Sequence, residues 1–102
     1  MAGKPPQTRS GFGRSPGAHN KLLEAVTLQR KGELDAAAKA CRKAVNASPN
    51  DFDALHLLGV IEAQRGNAKE AAAVLERALR LDPADATALM NYGNAQIGRA
   101  HV

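Results

Sequence analysis

The chain has 102 residues, a net charge of +4, a single cysteine and only three aromatic side chains, Phe12, Phe52 and Tyr92. That length allows one domain at most, one cysteine excludes an internal disulfide, and no apolar run approaches the roughly 18 residues a membrane span needs. The 21 alanines favour closely packed helices over a sheet, because alanine is the strongest helix former and a poor strand former.

The charge is unevenly placed. Residues 1–17 carry Lys4, Arg9 and Arg14 and no acid, so the remaining chain is close to neutral. This argues against a broad nucleic-acid footprint on the folded part. Residues 1–17 also hold three prolines and four glycines without periodicity, which predicts a disordered, solvated basic leader. The leader lacks an apolar segment, so it is not a secretory signal. Its Gly11, Gly13 and Gly17 have the wrong spacing for a dinucleotide loop, and no strand precedes them. The lone thiol suits a reducing cytoplasm, the expected location.

From Ala18 to Lys31, the apolar residues Leu22, Leu23, Ala25, Val26 and Leu28 predict a helix that Gly32 stops. From Glu33 to Ala47, the residues Ala36, Ala37, Ala40, Cys41, Ala44 and Val45 predict a second helix with one buried stripe, closed by Pro49. Residues 50–85 repeat the plan. Asn50 or Asp51 caps a helix carrying Leu55, Leu58, Gly59, Ile61 and Ala63, and Gly66 breaks it. Asn67 with Glu70 has the spacing of a capping box for the next helix. That helix buries Ala71, Val74, Leu75, Ala78 and Leu79, and Pro83 ends it. Asp85 then caps a third start containing Ala88, Leu89, Tyr92, Gly93 and Ala95. An apolar edge exposed around Leu89 and Tyr92 is expected there.

Sliding residues 18–51 onto 52–85 aligns Leu23 with Leu57, Val26 with Val60, Gly32 with Gly66, Ala37 with Ala71, Ala44 with Ala78 and Pro49 with Pro83. Most of these positions have a mechanical task. Gly59 and Gly93 are read as points of close helix approach, with Ala25 in their place in the first unit. Gly32 and Gly66 make the turns.

The offset of 34 and these residues resemble the tetratricopeptide repeat. In the middle unit that signature reads Leu55, Leu58-Gly59, Glu62, Ala71, Leu75, Ala78 and Pro83, with Leu55 for the first aromatic and Glu62 for the expected Tyr. The resemblance implies an all-α, right-handed helix-turn-helix solenoid: a leader over 1–17, one repeat over 18–51, a second over 52–85 and the first helix of a third over 86–96. Ile97 to Val102 departs from the pattern and looks like translated sequencing adapter. Native sequence is therefore expected to end at Ala95 or Gln96, making the chain a fragment of a longer protein.

The same resemblance places Leu22, Val26 and Gln29 from the first unit on a concave groove, Asp53, His56, Val60, Ala63 and Gln64 from the second, and Met90, Asn91 and Asn94 from the third. Such grooves hold extended peptides. Asn91 and Asn94, in NYGNA, are similar to the asparagines of the O-linked N-acetylglucosamine transferase family, which grip a peptide backbone.

No catalytic constellation stands out. Ser10, Ser15 and Ser48 lie in loops or tail, and His19 and His56 have no further ligand at metal spacing. Neither a cofactor nor a metal is expected, and Cys41 reads as a small buried hydrophobe. The expected function is a non-catalytic module that binds a protein or peptide partner. The alternative is the N-terminal repeat region of a glycosyltransferase.

Overall fold

The computed structural model describes residues 16–100, and the side chains of residues 17–97. Among them the chain forms five helices: α1 (Pro16–Arg30), α2 (Leu34–Ala47), α3 (Phe52–Gln64), α4 (Ala68–Leu81) and α5 (Ala86–Ala100). The ends of α1 and α3 lie 34 residues apart, as do both ends of α2 and α4. The sequence offset is thus carried by the helices themselves, and the architecture is an all-α array of tetratricopeptide type.

The two sharp turns are built alike. Gly32 and Gly66 take φ of +83° and +88°, a region open to glycine at little cost. In the first, the Gly32 amide donates to the Gln29 carbonyl and Glu33 to Leu28. In the second, Gly66 donates to Ala63 and Asn67 to Glu62. Each is a complete Schellman motif satisfying two carbonyls that the helix end leaves open. At the helix starts, the Asp51 carboxylate accepts from the amides of Asp53 and Ala54, and Asp85 accepts from Ala88.

The core is made of small residues closed by a few large ones. Ala25, Ala37, Ala38, Ala44, Ala54, Ala71 and Ala78 are sealed from solvent, and Phe52, Leu55, Ile61 and Leu75 fill the space between them. Gly59 makes the tightest approach: a Cβ there would lie 2.5 Å from Leu75 Cγ. α1 packs on α2, α3 on α4, and α4 on α5. α1 also touches α3, and α3 touches α5, whereas the Cα atoms of α2 and α4 stay more than 8 Å apart. The first helices of the units therefore share one inner layer, and the second helices stand apart outside it.

Several expectations need correction. α1 takes in Pro16 and Gly17, assigned above to the leader; proline suits the first helical position, where its missing N–H is no loss. The rest of the leader, residues 1–15, lies outside the described residues. In α2 the buried stripe contains Ala38, while Ala36 is exposed. Asn67 makes no side-chain cap; its amide instead donates to Glu62 at 2.8 Å. A Cβ added at Gly93 would meet no atom within 4 Å among the described residues.

Helix α5 runs to Ala100. The repeat's turn position falls on Ala100 rather than on a glycine. His101 and Val102 lie outside the described residues. Leu89 is 47% exposed, as expected of an apolar edge. Tyr92 is half-buried, packed against Ala71, Ala72, Leu75 and Ala95.

Candidate functional site

The inner layer presents one face each of α1, α3 and α5. On α3, Asp53, His56, Val60, Ala63 and Gln64 fall at intervals of three, four, three and one, so they share a side of the helix. Two hydrogen bonds join this side to its neighbours. Gln29 Nε2 donates to Gln64 Oε1 at 2.8 Å, linking α1 to α3. The Asn91 amide and His56 Nε2 meet at 3.0 Å, linking α3 to α5. Both pairs span 35 residues, so each helix reaches the next with the same one-residue step beyond the repeat. On α3 the two rungs lie eight residues apart, roughly 12 Å along the axis. The His56 ring also rests against Phe52, with ring centroids 5.4 Å apart and tilted by 59°.

Between and beside these rungs the surface is apolar toward α1 and polar toward α5. Val26, Leu57 and Val60 are half-buried, and Leu23 is 53% exposed. Leu23, Leu57 and Asn91 occupy equivalent positions, as do Val26, Val60 and Asn94. Asn94, Ala63 and Gln64 are exposed, and Met90 is 60% exposed. Leu22 differs from the other predicted lining residues: it is only 7% exposed and belongs to the core against which Leu57 packs. It stands where His56 and Met90 stand in the later units. Leu22 packs into the core, whereas the equally apolar Met90 at the equivalent position of the third unit stays exposed.

A second polar constellation went unforeseen. The Glu62 side chain, sealed from solvent, accepts from Arg42, from Arg65 Nη1 at 3.0 Å and from Asn67 Nδ2 at 2.8 Å. Arg65 Nε also reaches Asp35 at 3.0 Å. The group ties α2 of one unit to α3 of the next. Its one sequence signal was the departure at Glu62 from the family's tyrosine. Nothing in the repeat pattern indicates that Arg42 from another helix comes to meet it. All of the carboxylate's partners are structural, and its burial leaves it no access to a substrate.

Cys41 is likewise closed off. Its Sγ donates to the Ala54 carbonyl at 3.3 Å. Burial first, and then the nearby Asp51 carboxylate, pushes the thiol from its ordinary 9.0 up to about 12, against the lowering pull of Arg42. Such a thiol is not a nucleophile at neutral pH.

Comparison with known proteins agrees with this geometry. A family profile described as tetratricopeptide repeat matches residues 22–86 and, overlapping, 65–99. The chain is 39% identical over 80 residues to the cellulose synthase 2 operon protein C of Komagataeibacter xylinus; the match covers 76% of this chain and 6% of that protein. Among solved structures, a mutant O-GlcNAc transferase of Thermobaculum terrenum superposes with a TM-score of 0.71 at 37% identity, over 78% of this chain and 15% of the other. The chain thus spans a small part of the length of either protein.

Proposed function

The chain belongs to the tetratricopeptide repeat family, whose arrays generally serve as protein-interaction modules, and on that premise we propose that its inner face binds an extended peptide segment of a partner protein. The observation that carries this reading is the pair of equally offset hydrogen bonds, Gln29 to Gln64 and Asn91 to His56. They fasten α1, α3 and α5 into one preorganised surface, so little ordering cost remains for binding to meet. Aliphatic side chains of the peptide lie against Leu23, Val26, Leu57 and Val60. Its backbone meets the amides of Gln64, Asn91 and Asn94, each of which offers both a donor and an acceptor. The module carries no chemistry of its own. The lone buried thiol is consistent with a reducing cytoplasm.

Peptides selected from a random displayed library test this reading. Val60→Arg is expected to weaken their binding at least about tenfold, and Asn94→Ala about threefold, since a lost neutral hydrogen bond is worth about 0.5–1.5 kcal/mol. Unchanged affinity in both variants contradicts the assignment.

A second reading rests on the likeness to an O-GlcNAc transferase. In it the repeats are part of a larger glycosyltransferase and guide that enzyme's protein substrates. The parent gene decides: a nucleotide-sugar domain downstream supports this reading, and further repeats followed by a stop exclude it.

A further inference from the structure

The outer side of the array holds a cleft that the inner-face reading does not use. Because α2 and α4 stand apart, the space between them is floored by α3. One cavity, of about 190 Å³, has Val45, Leu58 and Val74 among its lining residues, together with Arg42, Asn46, Glu70 and Arg77. A second, of about 120 Å³, is lined by Pro49, Asn50, Leu55, Arg77, Arg80 and Leu81. Arg77 lines both, so the two adjoin along one cleft between α2 and α4.

Its charges are ordered along α4. Glu70, Arg77 and Arg80 recur at seven and three residues, which puts them on one side of the helix. Arg42 is engaged by Glu62. Arg77 and Arg80 are exposed and make no hydrogen bond or ion pair among the described residues. Beside them Leu81 is 38% exposed, and the Asn50 side chain adds a further polar group. Two free guanidinium groups next to an apolar side chain match a carboxylate followed by an aliphatic residue.

We propose that this outer cleft docks an acidic segment of a partner protein, with one carboxylate held between Arg77 and Arg80 and a neighbouring aliphatic side chain against Leu81 and Pro49. A nucleic acid fits less well. Glu70 lies in the same cleft, and two cations do not make the phosphate track that such binding requires. The proposal is independent of the inner face.

The test is a titration of the full ¹⁵N-labelled chain with the blocked pentapeptide Glu-Glu-Leu-Asp-Leu, its Gln/Asn counterpart and a single-stranded oligothymidylate. Amide shifts are expected to centre on Asn50, Arg77, Arg80 and Leu81 with the acidic peptide alone. Arg77→Ala and Arg80→Ala should each weaken binding up to about fivefold, added salt should weaken it further, and Val60→Arg should leave it unchanged. Both arginines are exposed, so the variants retain the fold, which circular dichroism verifies. Absence of shifts, shifts confined to α1, α3 and α5, equal binding of the neutral peptide, or tighter binding of the oligothymidylate in this cleft would overturn the proposal.

Discussion

At Glu62 a sealed carboxylate stands where the family signature has an aromatic ring, and its cost is met by two arginines and an amide. Removing a charged partner from such a group is worse than removing the group itself, because the buried charge remains. Losing both Arg42 and Arg65 is therefore expected to cost about 3–5 kcal/mol. Glu62→Gln, which leaves Arg42 open to water and Arg65 still paired with Asp35, should cost about 1–2 kcal/mol. Urea midpoints rank the two variants; a larger loss for Glu62→Gln contradicts this account.

Cys41 gives a pH signature of known sign. The fold favours the neutral thiol, so the unfolded chain releases the proton first, near 9.0, and the native chain only near 12. The stabilisation is complete below pH 9 and is lost as pH rises from there toward 12. Unfolding midpoints from pH 8 to 10.5 should fall more steeply for the native sequence than for Cys41→Ala, and parallel curves would refute the linkage. The burial of Cys41 could be read from its place on an apolar stripe. The pairing of Glu62 with Arg42 could not, since Arg42 comes from a different helix.

At the scale of the helices, local chemistry was legible and packing only partly so. The turns at Gly32 and Gly66 need a residue that tolerates positive φ, and the sequence supplies it at both. The α2 stripe slipped by one position because Ala36, Ala37 and Ala38 are chemically identical; only the facing helix decides which two are covered. Gly59 and Gly93 look alike in sequence, yet among the described residues only the first faces a neighbour. At Gly59 an added methyl group meets Leu75 Cγ at 2.5 Å and Cδ2 at 2.7 Å, whereas at Gly93 it meets nothing within 4 Å. Gly59→Ala is expected to destabilise by about 1–3 kcal/mol through overpacking. Gly93→Ala is expected to stabilise by up to about 1 kcal/mol through helix propensity. Thermal unfolding of the two variants reads the opposite signs, and a shared sign would contradict the packing described.

The whole molecule is an array whose repeating residues are mostly packing residues, which is why the fold was plain and the ligand was not. Leu22 shows the limit. Family register places it in the groove, but its apolar neighbours draw it into the core. His56 and Asn91 keep the register because a polar pair at the same step stays at the surface and bonds across. The functional account rests on α1, α3 and α5 acting as one surface. The most direct test is amide chemical-shift mapping of the ¹⁵N-labelled chain with an uncharged peptide taken from the selected library. The account predicts shifts running through Val26, Val60, Gln64, Asn91 and Asn94 on all three inner helices. Shifts confined to α2 and α4, or to a single inner helix, would contradict it.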